Sequence, residues 1–156
     1  NGSADQKPSN DTGKLAGVVY PVVNLPYTEG FENASFPPVL WQRINTDGFI
    51  TWERTTRASK TGTASMFINN YDYDRNGNSD WMYSPLLPVK GKDSAFLTFQ
   101  VAAATFNVPN LANNPVDTLE VLVTTDCGAT YQSVYKKWGQ QLVTTGNVAV
   151  DTGYVP

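Results

Sequence analysis

Between Ala95 and Ala103 apolar and polar side chains alternate, with Leu97, Phe99 and Val101 on one face and Phe96, Thr98 and Gln100 on the other. A period of two marks a strand with one buried face. Thr118 to Thr124 repeats the pattern, with Leu119, Val121 and Val123 directed inward and Glu120 outward. Tyr131 to Lys137 is placed to pair with it across a short turn. Shorter segments follow the same logic: Trp41–Asn45 before the Asp47-Gly48 turn, Ile50–Arg54 around Trp52, and Ala64–Asn69 after the turn at Ser59–Thr63. Trp81 to Pro85 adds a short apolar run closed by proline. Leu15–Val23 contains Pro21, which limits it to an edge strand or an extended entry segment. Leu142–Tyr154 offers one or two weak strands. No ten-residue stretch combines helical spacing with caps. Seven or eight short strands separated by turn signals predict an all-β fold, an antiparallel β-sandwich.

The pattern also divides the chain. Residues 1–14 are polar, lack periodicity and read as a flexible leader or linker; residues 15–156 read as a single β-sandwich domain. The sequence stops at Val155-Pro156 before the strands that would cover the sandwich edges, so the domain is expected to lack its last strands in this chain.

Composition narrows the chemistry. Charged residues make up 16% of the 156 residues, aromatics 12%, and there are 12 Gly and 10 Pro, as suits many short elements joined by turns. A net charge of −3, with Lys136-Lys137 as the single adjacent basic pair, excludes a nucleic-acid partner, because phosphate binding needs clustered cations. No apolar run approaches the roughly 20 residues of a membrane span. Histidine is absent, which removes Ser-His-Asp and Cys-His nucleophile pairs and the usual zinc sites. The one cysteine, Cys127, permits no internal disulfide. Carboxylate chemistry and hard-cation binding remain.

Asp72, Asp74, Asn76, Asn78 and Asp80 place oxygen donors at every second position, with Gly77 allowing a sharp bend. That spacing suits a calcium loop, although Tyr83 stands where a bidentate Glu would close it. The alternative is a solvated turn whose side chains bond local backbone. Tyr71 and Tyr73, in the same polar loop, are candidate ligand-binding residues on which a sugar ring could stack beside Asp and Asn donors, with Trp81 and Trp138 as further members. Trp41, Trp52 and Trp81 lie inside short strands and are expected in the core. A carboxylate hydrolase would have to use one of four Glu, and Glu53 beside Trp52 is its candidate, without an assignable partner.

Three motifs carry a resemblance. They are Tyr27-Thr28-Glu29-Gly30-Phe31-Glu32-Asn33 with Phe36-Pro37 and Trp41; Asp80-Trp81-Met82-Tyr83-Ser84-Pro85 followed by Phe96-Leu97-Thr98-Phe99; and Leu119-Glu120-Val121 followed by the Asp126–Tyr131 turn. In this order, over about residues 25–140, the chain resembles the bacterial choice-of-anchor and cleaved-adhesin jelly-roll domains, which are related to MAM domains. The resemblance implies a galactose-binding-like jelly-roll, extracellular or anchored at the cell surface. It would serve a larger polypeptide as a non-catalytic binding or adhesion module for a glycan or a host or surface protein, with structural calcium. It also suggests that Glu32 helps to hold a structural cation, and that the Asp126–Tyr131 turn is structural. A carbohydrate-binding module attached to a secreted hydrolase is the nearest alternative, and a small carboxylate-dependent glycoside hydrolase stands behind it.

Overall fold

A computed structural model describes residues 21–104, 117–145 and 154–156. The expected leader, most of the Leu15–Val23 segment and much of Leu142–Tyr154 lie outside the described residues. Among the described residues six strands form in chain order: β1 (Gln42–Asn45), β2 (Glu53–Thr55), β3 (Ser65–Phe67), β4 (Asp80–Tyr83), β5 (Thr118–Val123) and β6 (Gln132–Trp138). Helix among the described residues is confined to 3-10 turns at Asn70–Asp72 and Gly139–Gln141. The fold is therefore all-β, as the alternation predicts.

The strands assemble as three antiparallel pairs, β1 with β4, β2 with β3 and β5 with β6. An isolated parallel bridge joins Val22 to Leu86. The β5–β6 hairpin joins the two segments whose patterns match in sequence. Its Glu120 stands opposite Lys136, with Nζ donating to the carboxylate over 2.9 Å. A bulge between Val121 and Leu122 sets Tyr135 opposite Val121 and Ser133 opposite Leu122, which places Val134 outside the register and leaves it exposed.

The Asp47-Gly48 turn is present, with Gly48 at φ +68°, but it does not make a hairpin of β1 and β2. Instead the two strands belong to different ladders, stitched together by side chains. Arg43 Nη1 donates to the Trp52 carbonyl (2.9 Å) and Trp52 Nε1 donates to the Asp80 carbonyl (3.0 Å).

The segment expected to be the strongest strand, Ala95–Ala103, pairs with no other strand among the described residues. Leu97 is 59% exposed and Phe99 41%, so the anticipated inward face does not form among the described residues. Alternation records which side chains share a face; it carries no information on whether a backbone partner is present to complete the ladder. The segment is held by the Phe99 ring, which meets Tyr135 edge-on at 5.1 Å, and by Ala103, whose carbonyl accepts the Thr144 amide at 2.8 Å and whose amide donates to the Thr144 hydroxyl at 2.9 Å.

The opening motif is a structural node. Glu29 accepts the Phe31 amide at 2.6 Å, and Arg54 Nε donates to the Phe31 carbonyl at 2.6 Å. Together they hold Phe31 at φ +59°, a left-handed conformation that side chains seldom adopt. Its ring then packs against Phe36 at 6.3 Å and Trp41 at 5.7 Å, while Trp41 Nε1 donates to the Tyr27 hydroxyl at 2.9 Å. Glu32 receives the Thr63 hydroxyl (2.6 Å), the Thr63 amide (2.9 Å) and the Ala64 amide (3.3 Å). It thereby clamps the loop before β3 through protein donors. Among the described residues the buried ones are Pro38, Thr51, Ala64 and Pro85, all in segments outside the strands.

Candidate binding surface

The Asp72–Asp80 loop is built around a residue that the sequence pattern did not single out. Asp47, at the turn after β1, accepts the Tyr73 hydroxyl (2.8 Å) and Asn78 Nδ2 (2.9 Å) on one oxygen and the Phe49 amide (3.0 Å) on the other. These donors hold its carboxyl below the ordinary range, the Phe49 amide foremost and the Tyr73 hydroxyl next. Tyr73 responds in the opposite sense: burial first, and then the bond to Asp47, push its hydroxyl up. Phe49 completes the junction, with its ring 5.9 Å from that of Tyr73 and the Arg75 guanidinium 5.1 Å over its face. Asn45 fixes the turn itself, accepting the Gly48 amide and donating to the Phe49 carbonyl, each over 2.8 Å.

The five expected metal ligands do not converge. Asp72 accepts Asn69 Nδ2 at 2.8 Å, Asp74 pairs with its neighbour Arg75 at 3.5 Å in solvent, and Asn78 turns to Asp47. Asn76 and Gly77 lie in the tight turn closed by the Asn78 amide on the Arg75 carbonyl, with Gly77 at φ +87°. Asp80 opens β4, and its Oδ1 is buried without a hydrogen-bond partner among the described residues. No group of three His, Cys, Asp or Glu side chains able to hold a metal ion forms among the described residues. The two candidate tyrosines also separate. Tyr71 is 53% exposed, whereas Tyr73 is half-buried with its hydroxyl committed to Asp47.

A second surface begins one residue later. Successive strand residues point to opposite faces, so Trp81 and Tyr83 share the face of β4 that Asp80 and Met82 leave. Register places Ile44 opposite Trp81 and Gln42 opposite Tyr83 on the same side. The Trp81 and Tyr83 rings lie within 15° of parallel with centroids 6.1 Å apart, and Tyr131 approaches Trp81 at 6.5 Å and 47°. Trp81 is 37% exposed and Tyr131 43%, so the expectation of Trp81 in the core is corrected. Trp41 and Trp52 are half-buried, and Trp138 is exposed at the end of β6. Tyr83 and Tyr131 were missed as surface partners of Trp81. The i, i+2 spacing of Trp81 and Tyr83 is the signal that could have found the first.

Tyr131 is positioned by the turn that precedes it. Asp126 accepts the Thr130 hydroxyl (2.6 Å), the Thr130 amide (2.9 Å) and the Thr124 hydroxyl (2.8 Å), which together hold its carboxyl at about 2. The structural role expected of this turn is what its bonding provides. Elsewhere, Asp117 lies beside a cavity of about 40 Å³ with Asn70 and Gly139, and burial pushes its carboxyl up. An open apolar groove of about 520 Å³ runs along Leu86–Lys90 with Val22 and Cys127 at its sides. Glu53, the candidate hydrolase residue, is exposed at the start of β2. No helix among the described residues is long and apolar enough to cross a membrane.

Comparison of the chain with protein-family models, characterised proteins and solved structures returns no match.

Proposed function

We propose that the chain is a non-catalytic binding or adhesion module of a secreted or cell-surface bacterial protein, built as a jelly-roll of choice-of-anchor and cleaved-adhesin type. It would recognise a glycan or protein ligand through loops at one end of the sandwich. The observation that carries this reading is the Asp47 junction. A polar, residue-rich loop is fixed in one conformation by bonds from Tyr73, Asn78 and Phe49 to a single carboxylate, while Tyr71 stays exposed. A loop ordered in advance loses less entropy on binding, which is how scaffolded recognition loops gain affinity.

The test is binding without turnover. On a glycan array and a panel of extracellular-matrix proteins, the chain is expected to retain a ligand and release no product. Tyr71→Ala should weaken retention by contact loss, and Tyr73→Phe by loosening the loop. Catalytic product that disappears in Glu53→Gln would replace the module with a hydrolase. Retention unaltered by either tyrosine change would remove the loop from recognition.

Structural calcium belongs to the same reading. Its support is the alternating oxygen donors from Asp72 to Asp80 together with the partnerless Oδ1 of Asp80. Millimolar calcium is expected to raise the melting temperature in a scanning-calorimetry titration, with magnesium at the same concentration as the control. A flat response to calcium rules the cation out.

A carbohydrate-binding module attached to a hydrolase is the second reading, and the exposed aromatic face on β4 favours it.

A further inference from the structure

We propose that the β4 face carrying Trp81 and Tyr83, with Tyr131 beside it, is a stacking subsite for neutral pyranose rings. The proposal rests on the binding-module reading and names a ligand class for a surface distinct from the Asp72–Asp80 loop.

Ring geometry comes first. Two near-parallel aromatic rings 6.1 Å apart, with a third tilted by 47° against the first, gather three ring surfaces in one patch. The faces of aromatic rings are electron-rich. The C–H groups on one face of a pyranose carry small positive charge and are apolar, so they complement such a ring while the hydroxyls point outward. A polar partner for those hydroxyls is close. Gln42 stands directly opposite Tyr83 in the register.

Charge supports a neutral ligand. Alternation puts Gln42, Ile44, Trp81 and Tyr83 on this face and sends Arg43 and Asp80 to the other. The ladder therefore presents no ionised group here to favour an anionic or cationic ligand.

Size then separates a sugar from a protein. A standard protein interface takes roughly 20–30 residues on each side. This patch offers Trp81, Tyr83 and Tyr131 flanked by Ile44, which is 42% exposed. It is too small for such an interface but ample for one or two sugar rings. Exposed Trp81 and half-buried Tyr83, held in parallel by strand spacing, also cost little further ordering on binding.

The test uses the whole chain with four neutral oligosaccharides, cellohexaose, xylohexaose, mannohexaose and chitohexaose, read by tryptophan fluorescence and calorimetry. At least one is expected to bind saturably. Trp81→Ala should raise its Kd by about tenfold or more, and Tyr131→Ala by several-fold, in line with losing one aromatic contact. Trp81→Phe should recover part of the loss, which a misfolded variant would not do, and circular dichroism verifies that each variant is folded. If binding falls in Tyr71→Ala but not in the Trp81 or Tyr131 variants, the subsite is overturned and the module reading stands. If none of the four binds at millimolar concentration, the subsite is likewise overturned, leaving a protein ligand for the module.

Discussion

Gly62→Ala is expected to lower the melting temperature by roughly 4–8 °C, from about 2 kcal/mol of lost stability in a chain of this size. Two causes add. Gly62 sits at φ +69°, where an L side chain costs about 1–2 kcal/mol. A β-carbon there would also run into Oε1 of Glu32. The carboxylate can swing aside, but it then gives up the Thr63 and Ala64 donors that hold the loop against the Phe31–Arg54 node. Gly48→Ala supplies the control. It has a similar φ of +68° with nothing within 4 Å of the added carbon, so it should show the backbone cost alone. Thermal melts of the two variants decide the matter. Equal losses would show that the Glu32 clamp contributes nothing.

The second large effect is acid sensitivity. Among the described residues four carboxyls are held low in the folded chain: Asp126 at about 2 by the Thr130 hydroxyl and amide, Glu32 chiefly by the Thr63 hydroxyl, Asp47 chiefly by the Phe49 amide, and Glu120 chiefly by Lys136. A depressed carboxyl stabilises the fold when ionised. That stability is fully present above the unfolded values near about 4, and it is lost as pH falls through the folded values. Asp117 works against the others, because burial raises it and its ionisation costs the folded state; protonation there offsets part of the loss. The melting temperature should hold steady from pH 7 to about 5 and then drop between about pH 4 and 2. Asp126→Asn should lower the neutral plateau and make the drop shallower. A melting temperature that stays level down to pH 2 would contradict the account.

What could be read from the sequence was mainly local. The β5–β6 hairpin joins segments separated by one short turn, so alternation on each side and the Asp126–Tyr131 turn chemistry were enough to place it. The Asp47-Gly48 turn was equally legible as a turn. Its consequence was not, because β1 pairs with β4 across the whole intervening β2–β3 ladder, and nothing in the local pattern of Gln42–Asn45 names that partner. Asp47 was missed for the same reason. Its donors Tyr73 and Asn78 lie 26 and 31 residues downstream, and an isolated Asp before Gly already has a sufficient role in the turn. Ala95–Ala103 shows the converse, a strong local pattern without a ladder among the described residues. A place inside a short strand puts Trp81 in the core by expectation, yet its exposure depends on what covers its face of the ladder, a long-range property.

The Asp126 turn has one more consequence. It holds Cys127 at φ +57° and leaves it exposed, four positions before Tyr131, and the sequence contains no second cysteine. This sequence thus offers one addressable thiol, beside the Leu86–Lys90 groove and in the hydrogen-bonded turn that leads to Tyr131. An environment-sensitive fluorophore coupled there would need no engineered mutation, and its emission would report occupancy of Trp81 and Tyr131 from a fixed position nearby.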